Sequence, residues 1–301
     1  MQSLTRQQLF LLVILTLVWG LNWPIMKLGV TNYPPLTFRA LSILLGLPVL
    51  GLALVVMKVP FRLPRQYWPE LLILTTFNML VWHALIIIAV KSLSSGRAAI
   101  LGYTMPIFSA VIGALWFGHK LLPRAWAGVA AAALGVVLLL WHEFTNLSGR
   151  PVGVGLALIA AATWAVGTQL LRRSAMPVAT LAISFWMTAI TTVFMCLLSV
   201  VFETAQWKAP SPGVLTTIVY NAVMIFGFAH AAWFFLARSL PPVASTLSVM
   251  FIPVLGVFSG AILLGEVLHW QDWTAVVLMM VAIASVLLPA RTAQQPASAE
   301  T

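Results

Sequence analysis

Trp19, Asn22, Trp23 and Met26 follow one another at i, i+3, i+4 and i+7 in an apolar run, so they share one helical face. An amide flanked by two indoles suits a small solute with both a polar and an apolar part. Pro24 removes a backbone donor beside them. His83, with Asn78 and Trp82 nearby, and His230, with Asn221 and Trp233, lie inside two further apolar runs. An imidazole can donate, accept or titrate near neutral pH. Tyr103, Trp164, Thr168 and Trp186 are the remaining candidates for the wall of one cavity. The competing readings are plain ones: tryptophans as an interfacial belt, and histidines as satisfied packing residues.

None of these groups has catalytic spacing. The sequence lacks G-x-x-x-x-G-K followed by Ser or Thr, H-E-x-x-H, G-x-S-x-G, and H-x-E with C-x-x-C. His119 stands alone, and nothing joins it to His83 or His230. Cys196 is the only cysteine, so there is no internal disulfide and no Cys-rich metal site. No cofactor, no metal and no enzymatic activity are expected.

The elements that must hold these side chains follow from composition. Of 301 residues, 61% are apolar and 7% charged, and the mean hydropathy is +1.03. Soluble domains are roughly 45–50% apolar and about 25% charged. The fold expected is therefore an all-α membrane protein. Runs of about 20 apolar residues fall at 8–30, 34–57, 69–91, 95–118, 122–142, 152–172, 178–201, 213–237, 241–265 and 270–289, which makes ten transmembrane helices. Their separators are Pro- and Gly-rich, as at Tyr33-Pro34-Pro35, Ser148-Gly149-Arg150-Pro151 and Pro210-Ser211-Pro212-Gly213. The first run is too long for a signal peptide and no A-x-A-like site follows it, so it is expected to be retained. Residues 291–301 form a polar tail, expected to be disordered and cytoplasmic.

The net charge of +10 does not indicate nucleic-acid binding, because the 16 cations are scattered between apolar runs with no basic stripe. They act as topology signals instead. With the N-terminus inside, ten cations (Arg6, Lys58, Arg62, Arg65, Lys120, Arg124, Arg172, Arg173, Arg238, Arg291) face the cytoplasm. Six (Lys27, Arg39, Lys91, Arg97, Arg150, Lys208) then face out, which favours both termini in the cytoplasm. Lys27 and Arg39 are the span-embedded cations, and both read as close to the outer edge. The six carboxylates (Glu70, Glu143, Glu203, Glu266, Asp272, Glu300) all fall at span ends, in loops or in the tail. The expected cavity is accordingly uncharged, with none of the mid-span carboxylates that proton relays use.

Residues 83–129 match residues 230–276 at a constant shift of 147, which aligns His83 with His230, Pro106 with Pro253 and Trp126 with Trp273. Trp19 meets Trp164 at a shift of 145. Two homologous halves follow, residues 1–145 and 146–290. Five spans per half make them inverted repeats, an arrangement that serves alternating access in secondary transporters. Ser109-x-x-x-Gly113 and its mate Gly256-x-x-x-Gly260 supply stripes for close helix packing. Spans four, five, nine and ten are expected to be mostly scaffold. Such stripes suffice for packing within one chain, so a monomer is expected, with an oligomer open.

Ten spans, two halves, the opening Trp19-Gly20-Leu21-Asn22-Trp23-Pro24 and the Leu264-Gly265-Glu266 turn resemble the drug/metabolite transporter superfamily, specifically its EamA-type branch. The branch usually ends its fourth span with Gly-Glu as well, where this chain has Gly118-His119. The His and Trp complement looks most like YddG-type amino-acid exporters. That resemblance implies a bacterial inner-membrane protein that exports amino acids, including aromatic and other large apolar ones. The substrate carboxylate would then meet Asn22, His83 or Tyr103, and its side chain Trp19, Trp23 or Trp164. Facilitated diffusion is the first expectation for energy coupling, and proton coupling through His83 or His230 the second. Lipophilic drugs or other metabolites are the alternative cargo.

Overall fold

The computed structural model describes residues 5–118, 120–145, 151–232 and 242–287. Ten helical rods account for almost all of them. They are α1 (Arg6–Thr31), α2 (Pro35–Val56), α3 (Arg65–Ser92), α4 (Ser95–Phe117), α5 (Pro123–Thr145), α6 (Pro151–Arg173), α7 (Thr180–Glu203), α8 (Pro212–Ala232), α9 (Pro242–Leu264) and α10 (Trp270–Leu287). Seven, α1 to α4 and α6 to α8, are long and apolar enough to cross a bilayer, and α5, α9 and α10 carry shorter apolar stretches at Pro123–Leu139, Met250–Leu264 and Trp270–Ser285. Large apolar side chains such as Phe10, Val56, Trp116, Val152, Phe202 and Ile262 stand exposed on the outside. That is the inverse of a soluble surface, and the chain is a multi-pass helical membrane protein. His119, Trp233 and the tail at 291–301 lie outside the described residues.

The helix boundaries follow local chemistry. Thr5 and Gln8 form a reciprocal capping box at the start of α1. Prolines open α2, α5, α6, α8 and α9, where a missing amide costs nothing. Gly118 and Gly265 end α4 and α9 at φ of 68° and 64°, a backbone that favours glycine.

Two departures from regular α-helix were not anticipated. The expected fourth span is broken at Tyr103-Thr104 into Ser95–Gly102 and Met105–Phe117. Pro106 sits in the first turn of the second piece, where it withdraws a donor without cost, and Thr104 Oγ1 donates to Leu101 O at 2.6 Å. Pro253, its repeat mate, is tolerated inside an unbroken α9. The second departure is a π-helical stretch in α3 (Thr76–Leu80) and another in α8 (Asn221–Ala229). These overlap at the repeat shift.

The rods pack in pairs that echo one another. α1 lies on α9 and α6 on α4; α2 lies on α8 and α7 on α3; α2 meets α7, and α5 meets α10. α5 and α10 pair at one side, as scaffold. α4 and α9 instead pack on α6 and α1, so they help build the centre rather than stand apart from it.

The junctions of α1–α2, α3–α4, α7–α8 and α9–α10 gather at one end of the bundle, called here the Tyr33 end. Three buried or half-buried carboxylates tie it shut. Glu203 accepts from Leu36 N at 3.0 Å, Thr37 N at 2.7 Å and Thr37 Oγ1 at 2.8 Å. Glu266 accepts from Ser95 N at 2.6 Å, Ser95 Oγ at 2.9 Å and Gly96 N at 3.3 Å. Both thus cap helix N-termini, where a negative charge is favoured. Arg97 makes a two-pronged pair with Asp272, Nε to Oδ1 at 2.7 Å and Nη2 to Oδ2 at 3.2 Å. Lys27 Nζ donates to the carbonyls of Lys91 and Leu93 at 2.8 and 2.7 Å.

Candidate functional site

Midway along the bundle, α2, α3 and α8 bring three nitrogen-bearing side chains around one phenyl ring. His83 lies edge-on to Phe226 with centroids 5.4 Å apart, and His230 stacks on the same ring at 5.7 Å and 17°. The Arg39 guanidinium carbon is 5.7 Å from its centroid. The repeat-related histidines therefore converge, and what joins them is a phenylalanine that no spacing in the sequence singled out.

The π-helical stretch of α8 makes this convergence possible. A widened turn shifts Phe226 and His230 relative to α-helical register and leaves carbonyls free. His230 Nδ1 lies 2.7 Å from one of them, Ile225 O. Gly46 lets the stretch sit directly on α2. A Cβ there would stand 2.5 Å from Phe226 Cβ and 2.8 Å from Ala222 O, both too close for any residue but glycine. Gly167 serves the π-helical stretch of α3 in the same way, where a Cβ would meet Asn78 N and Cβ at 2.6 Å.

The polar groups of this centre are largely unmet. Both ring nitrogens of His83 are buried without a partner, as are Arg39 Nε, Asn22 Oδ1 and Asn221 Oδ1. Buried polar groups in native proteins are normally paired. In a bundle that sits in hydrocarbon, an unpaired one is a candidate site for binding. Arg39 adds a charge to this centre. It stands about one turn into α2, near the Tyr33 end as its place in the span indicates, yet it is 2% exposed among α1, α2 and α8, donating from Nη2 to Met26 Sδ at 2.8 Å. The expected hollow was uncharged, whereas the centre observed contains a guanidinium. The signal that could have found it was available: a cation inside an apolar span is a functional candidate by default.

An aromatic wall adjoins the cluster. Trp23, 5% exposed, meets Tyr103 edge-to-face at 6.2 Å, and Trp82 meets Trp164 at 5.3 Å. Trp23 lies one turn from Met26 on α1, and Trp82 adjoins His83 on α3. Tyr103 owes its position to the break in α4, since Gly102 lies close against Trp23 and Trp82. Trp19, half-buried, packs against the same core. So Trp19, Asn22, Trp23, Tyr103, Trp164, His83 and His230 all face the interior.

Asn78, Thr168 and Trp186 are placed differently. Asn78 Nδ2 donates to Trp164 O and Thr168 Oγ1, both at 3.3 Å, so these side chains tie α3 to α6. Trp186 donates through Nε1 to Phe61 O at 2.7 Å and packs on Trp68, which anchors the α2–α3 loop away from the histidines. A separate groove of about 450 Å³ runs between α2 and α7, lined among others by Tyr33, Ala40, Cys196, Val200 and Lys208, and contains none of the expected site residues.

Asn22 and Gln169 fall together at the shift of 147, and their fates differ. Gln169 Nε2 donates to Ser109 O at 2.7 Å and Ser109 Oγ at 2.9 Å, which fastens α6 to α4. Asn22 is shorter, and the residue at Ser109's repeat position on α9 is Gly256, without a hydroxyl. Its carbonyl oxygen stays free.

Known proteins bear on the reading of this centre. The chain is 27% identical over 275 residues to the uncharacterized inner membrane transporter YedA of Escherichia coli (strain K12), covering 91% of this chain and 88% of that one. It is 24% identical to the uncharacterized transporter YoaV of Bacillus subtilis (strain 168), covering 85% and 88%. A probable amino-acid metabolite efflux pump of Salmonella typhimurium is 27% identical over 291 residues, covering 93% and 94%. A crystal structure of a protein 22% identical superposes with a TM-score of 0.64 over 93% of this chain and 98% of that one, a likeness of fold. The family model described as the EamA-like transporter family matches twice, at residues 7–141 and 151–288. A helical membrane bundle with a polar-aromatic centre, matched by one model over nearly its whole length, belongs to the EamA-like transporter family.

Proposed function

We propose that this transporter exports amino acids, aromatic and other large neutral ones foremost, from a bacterial cytoplasm by alternating access. The observation that carries this reading is the unpartnered His83 imidazole beside Arg39, set against a wall of indoles. An α-carboxylate meets donors at the one, and an apolar side chain meets Trp23, Trp82, Tyr103 and Trp164 at the other. Relatives described as probable amino-acid metabolite efflux pumps point the same way.

The moving parts are two inverted five-helix halves, residues 1–145 and 146–290, giving ten crossings in the inner membrane with both termini in the cytoplasm. Support comes from the double match of the family model, from the echoing helix pairs and from the overlapping π-helical stretches. Orientation rests on the cation asymmetry, ten against six. The Tyr33 end is then the periplasmic one, shut in this conformation. Transport runs down the substrate gradient, because no carboxylate among the described residues joins the histidine cluster as a relay partner.

The test is efflux from proteoliposomes loaded with a panel of radiolabelled amino acids. Phenylalanine, tryptophan, leucine and methionine are expected to leave faster than from protein-free liposomes. An imposed pH gradient is expected to leave their final distribution unchanged. Rates equal to protein-free liposomes for the whole panel would remove the amino-acid reading, and pH-driven accumulation would replace facilitation with proton coupling.

A further inference from the structure

We infer that Arg39 selects the cargo: its guanidinium, with His83 beside the same ring, binds a carboxylate, and this anion is obligatory while the ammonium of an amino acid is dispensable. The inference rests on the exporter reading for the apolar half of the substrate, but not for the anion.

Arg39 is an unusually placed cation. It is 2% exposed, and among the described residues its only hydrogen bond is to the Met26 sulfur, a weak acceptor. The face of Phe226 adds a cation–π contact, and Nε has no partner at all. Among the described residues no carboxylate pairs with it. Glu203 is committed to Leu36 and Thr37, Glu266 to Ser95 and Gly96, and Asp272 to Arg97. A guanidinium held out of water by a thioether and a ring is under-compensated, and the planar oxygens of a carboxylate match its forked donors. His83, whose ring centroid is 5.4 Å from that of the Phe226 ring that Arg39 covers, adds an unmet N–H donor.

The opposite demand is weaker. The unmet acceptors in this centre are the amide oxygens of Asn22 and Asn221 and the unprotonated ring nitrogen of a neutral His83, none of them charged. An ammonium finds there no charge to balance its own, so its loss weakens binding little. The best-fitting cargo is therefore a carboxylate with a large apolar or aromatic body, aminated or not. A neutral amide or an amine with the same body lacks the group that Arg39 requires.

Four probes of one shape separate these demands: L-phenylalanine, 3-phenylpropionate, phenylalaninamide and phenethylamine. Each is measured on the purified full-length protein by thermal stabilisation in detergent and by competition in proteoliposome counterflow. The two carboxylates are expected to act at half-maximal concentrations within about tenfold of each other, while the amide and amine need about ten- to a hundredfold more. Arg39→Gln is expected to weaken both carboxylates by about a hundredfold and leave the amine unchanged. Arg39→Lys keeps the charge but loses the fork, and is expected to weaken them about tenfold.

Equal action of the amide and L-phenylalanine on the native protein overturns the inference, whether or not the variants fold. So does an Arg39→Gln protein that keeps the carboxylate preference, or a native protein that neither carboxylate stabilises. If 3-phenylpropionate stabilises the protein through Arg39 while no amino acid is exported, the anion site stands and the amino-acid reading falls.

Discussion

The Tyr33 end and the centre of the bundle both bury charge, and they treat it in opposite ways. At the Tyr33 end every named carboxylate has found its donors: Glu203 and Glu266 cap helices, and Asp272 is paired with Arg97. In the centre, Arg39 and His83 hold polar nitrogens that nothing among the described residues satisfies. Groups of one chemical kind therefore serve two ends. Where the demand is met internally, the result is a closed seam between α3–α4 and α9–α10. Where it is left open, the result is a centre with buried donors still unmet, which is the ground for the anion site proposed above.

That contrast can be broken by substitution. The largest effect is expected at Asp272. Asp272→Ala removes the two-pronged partner of a buried Arg97 and the acceptor of His269 N, which costs about 3–5 kcal/mol. Thermal unfolding in detergent should show the loss, and replacing Arg97 by Met in the same chain should recover most of it. A smaller effect is expected for Glu266→Gln, which weakens three hydrogen bonds at the N-terminus of α4 by about 1–3 kcal/mol in total. The smallest effect on stability, about 1 kcal/mol or less in either direction, is expected for His83→Leu, because neither ring nitrogen has a partner to lose. The same variant should lose most of its amino-acid efflux. A drop in stability at His83 as large as that at Asp272 would erase the difference between the two regions.

Much of this arrangement could be read from the chain, and the exceptions have identifiable causes. Helix boundaries were legible because proline, glycine and capping side chains act within a turn of where they stand. The carboxylates at span ends were legible too, but their partners were not. Glu203 and Leu36 are 167 residues apart, and Glu266 and Ser95 are 171. The π-helical stretches escaped notice because five to nine residues of wider turn leave hydropathy periodicity almost unchanged. Arg39 stands one turn from the end of α2, as counting along the span indicates; its enclosure by Met26 of α1 and Phe226 of α8 depends on packing that no count along one helix contains. Asn78, Thr168 and Trp186 were chosen for polar or indole groups in apolar runs, yet each found its partner within the chain.

The amino-acid sequence by itself determined that this is a membrane-spanning helical chain whose second half echoes the first, since both follow from hydropathy and from a residue-by-residue register. It also determined which residue types were available for binding. Only the tertiary structure decided which of them remained unsatisfied. Hydrogen-bond demand is a property of a side chain, whereas its fulfilment depends on what packing brings within about 3 Å. Gln169 found Ser109 and was spent on packing; Asn22 kept an amide oxygen with no partner among the described residues.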